Sequence, residues 1–236
     1  MSPASTNTTR EIVLAIELSN PSASSSAHGA ALFSCVDSAH ELIGSKPVPD
    51  GIRSSDAIMV LIESLCKEHT IEPGDVSKII VSVGPGGYTA LRIATTTAKV
   101  LAHTIGCMLV AVPTAYVAAA AIEPNRRPAL IALASKNNLA HCSVLQADGQ
   151  IESVGIMDAT KIEALNIRSI FADGYLPKSF AECAQQLGIE IYPIVLDARH
   201  CLDASRGFAP VEPMDLQPIY AREPDAITQW RERAKK

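Results

Sequence analysis

The stretch from residue 79 to residue 99, IIVSVGPGGYTALRIATTTAK, constrains the fold more than any other part of the sequence. An apolar run typical of a buried strand breaks at Gly84-Pro85-Gly86-Gly87 and continues with a helical pattern. A glycine-rich loop that opens a helix is one way in which α/β proteins hold phosphate groups. Two interpretations stay open. Either the glycines supply the backbone freedom for a sharp turn that Pro85 stiffens, or the loop binds a ligand such as a nucleotide.

The composition also favours α/β layering. Hydrophobic residues make up 47% of the 236 residues and aromatic residues only 4%, so we expect a core of Ala, Ile, Leu and Val. The net charge of -5 argues against an autonomous nucleic-acid-binding protein, but not against a subunit whose partner contacts nucleic acid. The six cysteines are scattered and form no C-x-x-C pair, which predicts reduced, mostly buried thiols in a cytosolic protein.

The sequence offers no targeting or membrane-spanning pattern. Residues 1–11 are polar and lack the layout of a signal peptide. The longest apolar run, residues 108–122, is interrupted at Pro113 and Thr114 and is too short to span a bilayer. We therefore expect a soluble, cytoplasmic protein without membrane association.

Strand and helix patterns follow each other in a similar order in two parts of the chain. In the first part, strands are predicted over residues 12–18, 30–36, 41–43, 78–83 and 108–112, and helices over residues 54–69, 88–105 and 114–121. In the second part, strands are predicted over residues 129–134, 139–146, 151–156, 169–172 and 189–195, and helices over residues 161–165, 178–187 and 197–205. Ser54 or Ser55 is the expected N-cap of the first helix, and residues 46–51 are expected to form a loop.

This order predicts an α/β fold made of two similar βββαβα halves. The order of the elements alone carries the prediction, because the halves share negligible sequence identity. We predict a disordered tail over residues 1–9, a first half over residues 10–122, and a second half with a C-terminal tail over residues 123–236.

Three stretches resemble the TsaB (YeaZ) family. They are IVLAIELS, VSVGPGGYTALRIATTTAKVLA and LQPIYAREPDA. The family's loop typically reads GPGSFTGLR, and its tail typically carries a P-x-Y-x-R-x-P pattern. Here the loop departs from that pattern at Gly87 and Ala90, and residues 53–56 and 134–136 depart from it as well, which indicates a divergent member. The tail pattern falls on Pro218, Tyr220, Arg222 and Pro224.

The resemblance implies a duplicated actin-like (ASKHA) fold of the glycoprotease-like group and a non-catalytic role. TsaB proteins resemble their enzymatic partner TsaD but lack its metal-binding histidines. They serve as the dimerisation partner of TsaD in making tRNA threonylcarbamoyladenosine (t6A), and they also self-associate. No cofactor is then expected on this chain, and ATP and metal are expected in the partner. A TsaE-type ATPase is expected in the full complex, a homodimer is a further possible assembly, and tRNA is expected to be reached only through the complex.

The residues themselves offer little for catalysis. An actin-like ATPase or small-molecule kinase would use Glu17, at the end of the first strand, with the loop at residues 84–87. No glycine follows Glu17 to let backbone amides approach a phosphate, and Pro21 removes one donor. No two histidines stand four apart on a helix, and G-x-S-x-G and Walker A motifs are absent from the sequence, so neither a catalytic residue nor a metal site is predicted. The ATPase or kinase interpretation stays as the alternative.

The two long helices of the first half are the better candidate site. Val60 lies opposite the stripe of the first helix that is expected to face the core, and the second helix has only a narrow polar stripe, which is unusual for a helix that faces solvent. The resemblance implies that these two helices pair with TsaD or with a second TsaB. The predicted interface residues are Val60, Glu63, Arg92, Thr95, Thr96, Lys99 and His103. The tail over residues 222–236, with Trp230, is expected either to dock on the domain or to fray.

Overall fold

A computed structural model describes residues 10–20, 28–37 and 39–222. Several sequence predictions fall outside the described residues. They are the tail over residues 1–9, Pro21 after the first strand, and residues 223–236 with Pro224 and Trp230.

The first half is built on a five-stranded sheet within the described residues. Its strands are β1 (Glu11–Glu17), β2 (Gly29–Val36), β3 (Ala39–Pro47), β4 (Val76–Gly84) and β5 (Met108–Pro113), and its helices are α1 (Ser54–Glu68), α2 (Tyr88–Ile105) and α3 (Thr114–Ala120). The strand order is β3-β2-β1-β4-β5. The strands β1 to β3 pair antiparallel, whereas β4 and β5 pair parallel because a helix crosses over before each of them.

The second half repeats this topology. Its strands are β6 (Ala129–Ala134), β7 (Ala140–Leu145), β8 (Ile151–Met157), β9 (Ser169–Ala172) and β10 (Glu190–Pro193), and its helices are α4 (Lys178–Leu187) and α5 (Cys201–Ala204). The order β8-β7-β6-β9-β10 matches the first sheet strand for strand, with the same parallel and antiparallel pairs. The duplicated α/β fold predicted from the sequence is therefore confirmed.

Several predicted boundaries need correction. The strand β3 extends to Pro47, into the predicted loop, because it pairs with β2 along its whole length. Arg53 rather than Ser54 or Ser55 is the N-cap of α1, and no side chain of the described residues caps it. The predicted helices over residues 161–165 and 197–205 contain short 3₁₀ turns, and only α5 of the latter is α-helical. These short segments follow tertiary packing because they are too short to be stable helices by themselves.

Successive side chains of β1 point to opposite faces of the sheet and so contribute to different layers of the core. Leu14 and Ile16 face a cluster that α1 and α2 cover. Val13 and Ala15 face the opposite side, where their cluster contains residues of both halves together with α3 and α5. A third cluster lies within the second half. The two halves therefore share a buried apolar layer, while the sheet face under α1 and α2 belongs to the first half.

The six cysteines are free thiols. Cys142 and Cys201 are buried, whereas the other four are half-buried, so the prediction of mostly buried thiols is correct for two of them.

Residues 208–222, which we call the strap, return from the second half to the first. The amide of Val211 donates to the carbonyl of Leu109 at 2.8 Å, at the β5 edge of the sheet. Lys99 Nζ on α2 donates to the carbonyl of Met214 at 3.1 Å. The amide of Ile219 donates to the carbonyl of Val83 at 2.7 Å. The strap thus covers the base of α2 and ends beside the glycine loop, so it packs on the first half although the sequence predicted it as part of the second.

Candidate functional site

The glycine loop is closely packed against the chain's own backbone. A Cβ atom on Gly86 would overlap the carbonyl oxygen of Ser19 and lie 2.8 Å from its carbonyl carbon, and the Gly87 amide donates to the same oxygen at 2.7 Å. Gly84 has a φ of +110°, which L side chains rarely adopt, and it faces the carbonyl of Ile219. These close approaches explain Gly84 and Gly86 without a ligand.

Glu17 lies at the end of β1 and is fully buried. Its Oε1 accepts hydrogen bonds from the amide and the hydroxyl of Ser19, at 2.6 and 2.5 Å. Its Oε2 has no hydrogen-bond partner among the described residues. Burial raises the pKa of this carboxyl, although its contacts with Ser19 and Ser82 oppose the shift. A buried carboxyl of this kind is poorly placed to hold a metal-bound water or to activate a substrate.

A cleft of about 340 Å³ lies between the halves, where the loops after β1, β4, β6 and β9 meet. Asp173 is a buried acidic residue of this cleft, and both of its carboxylate oxygens accept hydrogen bonds from other groups of the chain. Oδ2 accepts from Asn20 Nδ2 and from the Ala134 amide, each at 2.9 Å, and Oδ1 accepts from the Tyr175 amide at 3.0 Å. The carboxylate therefore joins the two halves at the floor of the cleft.

The cleft also has polar side chains on its walls. Lys136 and His141 line it beside Gly86 and Gly87, and burial lowers the pKa of His141. Such a cleft has the size for a small polar ligand. Whether residues 84–87 bind a nucleotide, the alternative that the sequence left open, stays open. Among the described residues, no group of three or more His, Cys, Asp or Glu side chains is arranged to hold a metal ion.

The helix α2 begins at the glycine loop and ends at Gly106, which adopts the left-handed conformation at a φ of +78°. Thr95 was predicted to line a partner interface, but it is only 4% exposed. Its hydroxyl donates to the Leu91 carbonyl at 2.8 Å, which lets a polar side chain lie inside the packed face of the helix. Thr95 therefore lies beneath the surface that the other predicted residues share.

The remaining predicted residues occupy an exposed surface, but not one continuous stripe. Val60 is 62% exposed, and Glu63 is exposed and paired with Lys67 at 2.5 Å. Arg92, Thr96 and His103 are exposed on α2, whereas Lys99 is half-buried by its bond to the strap.

Two grooves lie on this surface, one on each side of Met59. The first, which we call the Arg92 groove, has a volume of about 440 Å³ and is lined by Ser55, Ile58, Met59, Tyr88, Thr89, Arg92, Ile93, Thr96 and Thr97. The second, the Val60 groove, has a volume of about 600 Å³, and its lining includes Met59, Val60, Ile62, Glu63, Leu101 and Ile105. His103 lies apart from both grooves, in a cavity beside the strap.

Met59 is a surface residue that the predicted interface did not include. It is 49% exposed and lines both grooves. Its position beside Ile58, at the flank of the core-facing stripe, was the available signal. Exposed Tyr88 at the start of α2 and Val100 on its outer face add to the apolar surface.

The tail pattern meets the glycine loop in space. The Tyr220 ring stacks on the Tyr88 ring at a centroid distance of 5.0 Å, and the Arg92 guanidinium lies 5.5 Å from the centre of the Tyr88 ring. Arg92 also donates to the Tyr88 hydroxyl at 3.2 Å. Two sequence patterns that lie more than a hundred residues apart are thus one structural unit at the start of α2.

Comparison with known proteins identifies the family. The family model for TsaD, described as tRNA N6-adenosine threonylcarbamoyltransferase, matches residues 21–197 of the chain. The chain belongs to this family. Over 54 residues the chain is also 43% identical to the tRNA threonylcarbamoyladenosine biosynthesis protein TsaB of Bacillus subtilis (strain 168). That alignment spans 23% of the chain and 24% of the Bacillus protein.

Solved structures agree on the fold of the chain. A Pseudomonas aeruginosa protein described as similar to the peptidase YEAZ superposes with a TM-score of 0.68 at 17% identity, over 90% of the chain and 100% of that structure. YeaZ from Pseudomonas aeruginosa superposes with a TM-score of 0.62 at 16% identity, over 89% of the chain and 99% of that structure. The fold is therefore that of YeaZ proteins, and the predicted duplicated actin-like architecture is consistent with it. No helix in the described part of the chain is long and apolar enough to cross a membrane.

Proposed function

We propose that this chain is a non-catalytic scaffold subunit that binds a TsaD-type protein through α1 and α2 and supports t6A modification of tRNA. The observation that carries the proposal is the pair of grooves around Met59, where apolar side chains of two neighbouring helices are exposed together. Membership of the TsaD-like family and the Bacillus relative named for t6A biosynthesis support the proposed pathway and the proposed class of partner.

The chemistry of this surface suits a protein partner. Met59, Val60 and Val100 are each about half exposed or more, and they lie close to charged groups such as Arg92 and Glu63. Apolar anchors surrounded by polar side chains are the usual composition of a protein interface. A second copy of the chain would use the same surface, so a homodimer and the complex with the partner are expected to exclude each other.

Catalysis is assigned to the partner. ATP, metal and substrate chemistry are proposed to reside in the TsaD-type subunit, with a TsaE-type ATPase joining the full complex and tRNA contacted through the complex, in the cytoplasm. In this chain, Glu17 is buried and the glycines contact backbone carbonyls. These contacts disfavour the alternative of an ATPase or kinase that uses Glu17 and the loop at residues 84–87.

The test is size-exclusion chromatography with light scattering of the chain alone and with a TsaD-type protein from the same organism. We expect a new species of heterodimer mass. The double variant Arg92→Glu, Thr96→Arg should abolish it, because the reversed charge and the added bulk lie in the Arg92 groove. The matched control is Arg168→Glu, Ser153→Arg, which makes the same changes at exposed sites of the second half and should leave the complex intact. A complex that survives the first variant and fails in the control would move the interface to the second half.

A separate assay tests the alternative. ATP hydrolysis by the isolated chain that is lost in Glu17→Ala would favour an enzyme and overturn the scaffold assignment.

A further inference from the structure

Glu17 is an ionisable residue at a position that the fold buries completely. Burying a carboxyl group costs free energy unless its oxygens are hydrogen-bonded. Its Oε1 accepts from both the amide and the hydroxyl of Ser19, whereas its Oε2 has no hydrogen-bond partner among the described residues. The two bonds to Ser19 are therefore the main contribution of this carboxyl to the folded protein.

The other groups around Glu17 do not balance a negative charge. Ser82 on β4 contacts the carboxyl, and from the second half Asp197 and Cys201 interact with it. Burial raises the pKa of Glu17, and Asp197, which is a like charge, raises it further. Both effects favour the uncharged acid, which still accepts hydrogen bonds from Ser19 through its carbonyl oxygen.

Ser19 joins this carboxyl to the glycine loop. The residue is fully buried. Its carbonyl oxygen accepts from the Gly87 amide at 2.7 Å, and it lies so close to Gly86 that an added Cβ would overlap it. The amide and the hydroxyl of Ser19 thus bind Glu17, and its carbonyl binds the loop. A shift of Ser19 would move the loop as well, because closely packed segments transmit displacement.

The glycine loop in turn fixes the start of α2. Gly87 is the N-cap of this helix, and its carbonyl accepts from the Leu91 amide at 2.9 Å in the first turn. No side chain of the described residues caps the helix. Tyr88 and Thr89, which directly follow Gly87, line the Arg92 groove. The backbone at Gly87 therefore determines where one end of the groove lies.

We propose that Glu17 is a positioning residue that sets the start of α2 through Ser19 and Gly87. One end of the Arg92 groove is then placed from inside the protein, by a buried carboxyl that contacts no partner. The positioning is independent of the proposed function. Its consequence, that Glu17 determines how well the groove fits a TsaD-type partner, rests on that function.

The test is amide hydrogen exchange of the full chain without a partner, measured for three variants. Glu17→Leu has a side chain of similar size that accepts no hydrogen bond. Glu17→Gln keeps the acceptor oxygen and, like the protonated acid, is uncharged. Val117→Ala is the matched control, because it leaves a cavity in the buried layer that the halves share and takes part in none of these hydrogen bonds. Urea unfolding measures the stability of each variant.

In Glu17→Leu we expect the amides of residues 86–91 to exchange about fivefold to tenfold faster than in the native protein, the change that loss of one buried hydrogen bond produces. The amides of β5 serve as the reference for a general loss of stability, and they should accelerate less than the loop. In Val117→Ala the loop should accelerate no more than β5 does. Glu17→Gln should exchange like the native protein, because its oxygen still accepts from Ser19.

Acceleration of the loop and of β5 by the same factor in Glu17→Leu would make Glu17 a stabilising core residue only and overturn the proposal. Exchange in Glu17→Gln that matches Glu17→Leu would overturn it as well, since the acceptor oxygen would then not matter. If Glu17→Leu does not fold, Ser19→Ala takes its place, because it removes the hydroxyl bond alone. Faster exchange confined to residues 86–91 is then the expected result, and exchange at the native rate there contradicts the proposal.

Binding to a TsaD-type protein separates the two proposals. If both hold, Glu17→Leu binds about tenfold more weakly than the native chain, because binding must then order the start of α2. Glu17→Gln and Val117→Ala should bind like the native chain. Faster loop exchange with unchanged binding retains the positioning and refutes its effect on the groove. Absence of a complex for the native chain refutes the proposed function, while the exchange result still decides the positioning.

Discussion

The side-chain amide of Asn20 donates to the carboxylate of Asp173 at 2.9 Å, across 153 positions of sequence. Asn20 follows β1 in the first half, and Asp173 follows β9 in the second. The bond is buried at the floor of the cleft. The bond therefore holds the loop after β1 and the loop after β9 to each other.

Asp173→Ala should destabilise the protein by about 2 kcal/mol, because buried donors lose a charged acceptor. The amides of Ala134 and Tyr175 and the side chain of Asn20 all lose this carboxylate. Urea unfolding measures the change. Asp148→Ala removes a carboxylate that accepts from one amide in an exposed turn, and it should change stability by less than about 0.5 kcal/mol. Equal effects of the two substitutions would contradict a bridging role for Asp173.

Gly86→Ala should lower the free energy of unfolding by about 2–3 kcal/mol, the usual effect of overpacking. The new methyl group would overlap the carbonyl of Ser19, and two backbone segments cannot move apart as easily as a flexible side chain can. Gly74→Ala is the matched control, since no described atom lies within 4 Å of its added Cβ and its φ is not positive. Its stability should change by less than about 0.5 kcal/mol. A tolerated Gly86→Ala would show that the loop is free of this contact and reopen the ligand-binding interpretation.

Glu17→Gln should become more stable relative to the native protein as the pH rises. Burial holds the pKa of Glu17 above its ordinary value of 4.5, so the folded state binds the proton more tightly than the unfolded state does. The stability that protonated Glu17 contributes to the folded protein is fully present below the pKa of the unfolded state, and it is lost as the pH rises through the raised pKa of the folded state. Glutamine does not titrate, and its oxygen can still accept from Ser19. Urea unfolding at about pH 5 and about pH 8 measures the difference in stability. The same difference at both pH values would mean that the folded and unfolded pKa values coincide.

Cys142 and Cys201 should resist alkylation in the folded protein. Burial raises the pKa of Cys142 to about 12 and that of Cys201 well above 9.0, with Glu17 and Asp197 adding to the shift of Cys201. Because the thiolate is the nucleophile, both react slowly at neutral pH. Iodoacetamide labelling followed by mass spectrometry should modify both only after addition of urea. Half-buried Cys183, for comparison, should be modified in the native state at a measurable rate. Rapid native labelling of Cys201 would indicate that the layer between the halves opens.

Periodicity and glycine positions predicted much of the architecture. The bounds of α2, which stops at Gly106, and of α4, which stops at Gly188, agree with the sequence prediction because a left-handed glycine ends each helix. The repeated order of strands predicted the common topology of the two sheets. Segments of a few residues, such as the turns after β8, were predicted less well because local propensity is weak there and packing decides.

The predicted interface residues were likewise predicted in part from local sequence and decided in part by packing. Helical spacing put Arg92, Thr95 and Thr96 in one polar stripe, and in the structure Arg92 and Thr96 of that stripe are exposed whereas Thr95 is buried. Burial of Thr95 depends on what packs against α2. The hydroxyl then bonds to a carbonyl of the preceding turn, a contact that the residue type permits but does not require.

By itself the sequence determined which segments are strands and helices, how many times the pattern occurs, and which family motifs the chain carries. These properties depend on neighbours within a few residues, where periodicity and backbone preference act directly. Only the tertiary structure decided that the strap joins the first half, that Tyr220 stacks on Tyr88, and that Asp173 holds Asn20. Such contacts join positions far apart in the chain, and they form only when the packing of both sheets brings the segments within hydrogen-bonding or van der Waals distance.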